Sequence, residues 1–107
     1  MKTVVYQKLV RDRIPEIIRK GGNECRTRTL TQEEYLACLE QKLSEELNEY
    51  LQSGQLEELA DLLEVMKALA AAKGSSWDAL EAIRAEKEER RGGFREKILL
   101  EEVTEKD

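Results

Sequence analysis

Two apolar stripes at helical spacing meet at a single break, Gln52-Ser53-Gly54, and this restricts the middle of the chain to a hairpin of two long helices. Before the break, Leu36, Leu39, Leu43, Leu47 and Tyr50 recur every three or four residues; after it, Leu56, Leu59, Leu63, Met66 and Ala70 do the same. Thr31-x-x-Glu34 has the form of a capping box and opens the first helix. The second helix runs from about Leu56 to Ala72 and carries another apolar line, Leu62, Val65 and Leu69. It is therefore apolar over more than half its circumference, which suits the centre of a bundle or a subunit interface.

The flanking segments read as shorter elements. Thr3-Val4-Val5-Tyr6 leans toward β but is short. A brief helix is expected around Ile14, Ile17 and Ile18, with Pro15 accepted in its first turn and Gly21-Gly22 ending it. Cys25–Leu30 alternates like an extended segment or short strand, and Ile98-Leu99-Leu100 is a second run that could pair with it. Lys73-Gly74 stops the second long helix, and Ser75 or Ser76 caps a third, with Trp77, Leu80 and Ile83 turned inward. Arg91-Gly92-Gly93 ends that helix, and Glu101–Asp107 forms a charged, frayed tail. With no repeat or linker, residues 1–107 read as one all-α domain. Its expected architecture is an antiparallel helical hairpin plus additional helices, with a candidate short two-stranded β element, oligomerising to cover its apolar faces.

Charge and residue usage narrow the chemistry. Charged residues make up 38% of the chain and the net charge is −5 with no large basic block, so nucleic acid polymers and anionic membranes are poor partners. No stretch reads as a membrane span or signal peptide, and the expected compartment is the cytoplasm. Histidine is absent, which removes the usual zinc ligand and the usual neutral-pH general base. Cys25 and Cys38 lack partner ligands and read as reduced thiols. Catalysis would have to run on carboxylates, Lys, Arg, Tyr or metal-bound water.

The carboxylates are placed for it. Folding the hairpin about Ser53-Gly54 sets Glu49 opposite Glu58 and, one turn on, Glu46 opposite Asp61. Glu46 falls one heptad after Leu39, in a slot the stripe would fill with an apolar side chain; Glu58 is in line with Leu62, Val65 and Leu69. An acid turned toward a core is costly unless it is paired or metal-bound. An ExxE on a helix is usually a solvated edge; the mirrored register and the apolar slots favour a site. Hard oxygen ligands in this number suit Mg2+, with Mn2+ as a substitute, and so suit a phosphate substrate. Glu45 or Glu49 would then orient an attacking water.

Glu46-x-x-Glu49 followed by Glu58-x-x-Asp61 resembles the metal motif of the all-α nucleotide pyrophosphohydrolases, the MazG-like and phosphoribosyl-ATP pyrophosphohydrolase superfamily. Lys8-Leu9-Val10-Arg11-Asp12-Arg13-Ile14-Pro15 resembles the N-terminal signature of its small single-domain members, and Lys87-x-x-x-Arg91-Gly92-Gly93-Phe94 their C-terminal one. The resemblance implies magnesium-dependent cleavage of a nucleoside triphosphate between its α and β phosphates, giving monophosphate and pyrophosphate, by a homodimer or homotetramer. It makes Glu46, Glu49, Glu58 and Asp61 the metal ligands, and makes Glu45 a catalytic residue beside Glu46 that positions water. The eight residues between Glu49 and Glu58 are at the short end for the superfamily, which leaves base choice to residues elsewhere.

The flanking motifs suit the same substrate on physical grounds. A triphosphate under cleavage needs cations beyond the metal, and Lys8, Arg11, Lys87 and Arg91 are available. Asp12 could orient Arg11 or cap the first helix, and Phe94 could stack on a base or pack in the core. For Lys87 and Arg91 a solvated helix face is equally open. Two alternatives compete: hydrolysis of phosphoribosyl-ATP, which the Lys8–Pro15 signature disfavours, and a non-catalytic helical module binding nucleotide or protein through the apolar face of Leu56–Ala72.

Overall fold

The computed structural model describes residues 1–106 and builds them from four helices: α1 Ile14–Lys20, α2 Gln32–Ser53, α3 Leu56–Ala72 and α4 Trp77–Arg91. Asp107 of the charged tail lies outside the described residues. Each boundary has a local cause. Pro15 occupies the first turn of α1, where its missing N–H costs nothing, and the chain turns away at Gly21. The Thr31 hydroxyl accepts the Glu34 N–H at 3.2 Å while the Glu34 carboxylate accepts the Thr31 N–H at 3.0 Å, completing the capping box of α2. Arg28 adds a bidentate pair to Glu34, and with the Thr31 N–H this holds that carboxyl down at about 2. Thr31→Ala is expected to cost about 1 kcal/mol of stability, read as a lowered denaturant midpoint at unchanged slope.

Gly54 ends α2 in the left-handed region, φ 67°, with its N–H on the Tyr50 carbonyl at 2.7 Å. A residue with a Cβ would be strained there, so the tight reversal into α3 depends on this glycine. Ser76 caps α4 by accepting the Ala79 N–H at 3.0 Å.

The α2–α3 hairpin is the packed heart of the chain, and α4 leans on the far end of α3. The central place expected for α3 is thus observed. Its Leu62, Val65 and Leu69 line is the covered one, with Val65 buried, and Leu39 is its buried counterpart on α2. The other line of α3 is open, with Leu56, Leu59 and Leu63 exposed. Trp77 is half-buried, whereas Leu80 and Ile83, expected to face inward, are exposed because α4 packs only slightly on α3. No strand forms among the described residues: Cys25–Leu30 and Ile98–Leu100 are both without regular structure. An isolated two-stranded pair with no face to pack against is marginal in water. No helix of the described residues is long and apolar enough to cross a membrane.

The chain measures 72 × 32 × 24 Å with a radius of gyration of 19.4 Å, well above the about 13 Å of a compact chain this long. Much of its apolar surface is consequently uncovered within one copy.

Candidate metal centre

The hairpin sets the register of the site. Because α2 and α3 leave Gly54 antiparallel, residues equidistant from the turn come level, and carboxylate oxygens of Glu46, Glu58 and Asp61 lie within 4.8 Å of one another. Glu49 stands beside them at the exposed edge, where its charge acts on both Glu46 and Glu58. The structure therefore brings three of the acids expected as metal ligands, Glu46, Glu58 and Asp61, within one cation's reach, with Glu49 at their edge.

Glu46 is the unusual member. It is 7% exposed, level with Val65 at 8%, and its Oε2 is buried without a hydrogen-bond partner. Its Oε1 meets Lys42 Nζ at 3.6 Å, one helical turn earlier. Burial first, then the negative charge of neighbouring Glu49, push the Glu46 carboxyl above the ordinary carboxylate range; Lys42 opposes this and Asp61 adds to it. Glu58 is raised as well, first by desolvation and then by Glu49, Asp61 and Glu46. An orphaned buried carboxylate oxygen among further carboxylates, all hard donors, fits a divalent cation such as Mg2+. Glu46, Glu58 and Asp61 would hold it, with Glu49 completing the set.

A groove runs alongside, lined by Lys8, Val10, Arg11, Ile14, Lys42, Glu46, Glu49 and Asp61. The segment before α1 thus lies against the cage. Arg11 Nη2 donates to Asp61 Oδ1 at 2.6 Å, so this guanidinium is oriented by Asp61 and not by Asp12. Asp12 does not cap α1 either; Arg13 occupies that position and no side chain bonds the helix end. Lys8 also lines an adjoining groove with Gln7, Leu9, Cys38, Gln41, Lys42 and Glu45. Glu45 belongs to that second groove, where Gln41 Nε2 reaches its Oε1 at 3.5 Å, and it does not line the cage.

The C-terminal candidates lie apart. Lys87 and Arg91 are exposed on α4 and line neither groove, and Phe94 is 99% exposed, neither packed in a core nor facing the acids. Cys25 and Cys38 are free thiols. Lys42 is the site residue that sequence reasoning missed. Its signal was present in the i, i+4 spacing to Glu46, but such pairs are frequent on any charged helix.

Comparisons with known proteins leave the family open. No family model matches the chain, and no solved structure matches it. An uncharacterised protein of Mycolicibacterium smegmatis is 56% identical over 41 residues, which covers 38% of this chain and 42% of that relative.

Proposed function

We propose that the chain is a magnesium-dependent nucleoside triphosphate pyrophosphohydrolase of the MazG-like kind, cleaving between the α and β phosphates. The observation that carries this reading is the buried, half-unpartnered Glu46 facing Glu58 and Asp61, with Lys8, Arg11 and Lys42 in the same groove. Acids alone would make a cation site; acids beside cations suit a metal–phosphate ligand. When bound, Mg2+ (or Mn2+) would supply Lewis acidity toward a phosphoryl oxygen and acidify water.

The chain's own residues divide the remaining work. Arg11, Lys8 and Lys42 neutralise phosphate oxygens. Glu49, at the exposed edge of the cage, and Glu45, in the adjoining groove, are the carboxylates available to orient water and take its proton. Arg11 is held at the cage by Asp61 and so stands within the groove a phosphate would enter.

A homodimer or homotetramer goes with this reading. Leu56, Leu59 and Leu63 on α3, Leu51 on α2 and the Ile98–Leu100 run are exposed in one copy, and contiguous exposed apolar surface of this kind marks an interaction face. A second copy would cover these faces and could carry Lys87, Arg91 and Phe94 to a neighbouring cage. A non-catalytic helical module is the second reading that the same exposed face favours. The test is pyrophosphate release across a panel of ribo- and deoxyribonucleoside triphosphates, with magnesium and with chelator. Release that needs the metal supports the enzyme; no release from any triphosphate, by protein of verified oligomeric state, removes it in favour of the module.

A further inference from the structure

Both cations nearest the cage are engaged with the carboxylates that a divalent ion would need. Arg11 sits on Asp61 at 2.6 Å and Lys42 on Glu46 at 3.6 Å, and both side chains line the one groove beside Glu49. A guanidinium and a metal ion cannot share the same carboxylate oxygen at full strength, because their charges repel across a few ångströms. Yet the remaining oxygen of Glu46 is buried and unpartnered, so Lys42 alone leaves that carboxylate incompletely satisfied.

We propose that Arg11 and Lys42 are exchangeable counter-ions: they neutralise Asp61 and Glu46 while the cage lacks a divalent cation, and turn to phosphate oxygens of the ligand once a cation takes those carboxylates. This rests on the metal-site reading above and deepens it by assigning Lys42 to the anion subsite. Arg11 lies in the segment without regular structure that precedes α1, where its pairing to Asp61 ties residues 7–11 against the hairpin. That segment is consequently held by Arg11 at two different times through two different partners, a carboxylate and then a phosphate. Metal and polyphosphate are thereby coupled: each makes room for the other, and the coupling is reciprocal.

The test measures Mn2+ binding alone by calorimetry in the wild type, Arg11→Gln, Lys42→Gln and, as a charge-matched control, Arg90→Gln, whose residue pairs with Glu86 on α4 away from the groove. Removing an exchangeable counter-ion is expected to tighten Mn2+ relative to Arg90→Gln, about two- to fivefold for Arg11→Gln, whose pair with Asp61 is exposed, and in the same direction for Lys42→Gln, whose pair with Glu46 is largely covered. The same two variants should bind Mn2+ with a methylene-bridged triphosphate analogue more weakly than Arg90→Gln does. Cleavage after Lys8 by a lysine-specific protease reads the segment directly: slow without ligand, faster with Mn2+ alone, and slow again with Mn2+ plus the analogue. In Arg11→Gln it should be fast throughout. Mn2+ affinities equal in Arg11→Gln, Lys42→Gln and Arg90→Gln, with Mn2+ bound by all, overturn the exchange and leave the metal site standing. Absence of Mn2+ binding by the wild type overturns both.

Discussion

Glu46→Gln is expected to lower magnesium-dependent pyrophosphate release by about three orders of magnitude in kcat/KM, while the protein stays folded and keeps its oligomeric state. Glutamine has nearly the shape of the buried glutamate it replaces, so packing is little disturbed. It removes the charge of the deepest carboxylate in the cage and leaves an amide, a poor ligand for a hard cation. Loss of one ligand weakens both metal retention and the stabilisation of charge developing on the phosphates, effects that together reach this size. Glu40→Gln, an exposed acid of α2 that lines neither groove, serves as the control and should be unchanged. Activity of Glu46→Gln within tenfold of wild type would take Glu46 out of the site. A loss in kcat with metal affinity intact would move it from ligand to water-positioning residue.

Much of this architecture was legible because it is written in short-range signals. The capping box at Thr31, the left-handed stop at Gly54 and the cap at Ser76 are local chemistries, and all sit where the sequence placed them. The cage was legible for a related reason. Once Gly54 fixes a tight reversal, the level of every residue on α3 against α2 follows from helical rise, and Glu46, Glu58 and Asp61 come within one cation's reach.

What the sequence could not resolve depends on surfaces that lack a partner within the chain. Leu80 and Ile83 have the spacing of an inward face, but α4 diverges from α3 and leaves them exposed. Apolar periodicity says that a face will be covered and does not say by what. Phe94, Ile98 and Leu99 illustrate the same limit, being exposed by 99%, 81% and 81%. The partner of Arg11 is hidden from the sequence for a different reason. Adjacent Asp12 is the obvious partner in the sequence, yet Asp61 is fifty positions away and reachable only through the hairpin. Glu45 shows how one residue step redirects a side chain: it stands beside Glu46 in sequence and opens into the neighbouring groove.

The metal-free protein should be most stable in mildly acidic solution and should lose stability toward pH 7, and magnesium should reverse that loss. Glu46 and Glu58 have folded-state carboxyls raised above their unfolded values, by desolvation first and by their acidic neighbours next. Each therefore binds its proton more tightly when folded. The stability this gives is fully present below the unfolded pKa and is lost as pH rises through the folded one. Glu34 works in the opposite direction: held at about 2 against an ordinary 4.5, it contributes stability above 4.5 that disappears as pH falls toward 2. Thermal unfolding followed from pH 2 to pH 8 with chelator should thus rise and then decline. At pH 7, magnesium at about a hundred times its dissociation constant should add about 2.7 kcal/mol, or about 10 °C in Tm for a domain of this size. Glu46→Gln should behave oppositely in the two conditions, melting a few degrees above wild type with chelator and losing nearly all of the magnesium increment. A buried acid serving structure alone would give the reverse signature. Its amide would then destabilise the metal-free protein at pH 7, as truncating the neighbouring core does at about 2–5 kcal/mol for Leu39→Ala, and magnesium would leave both proteins unmoved.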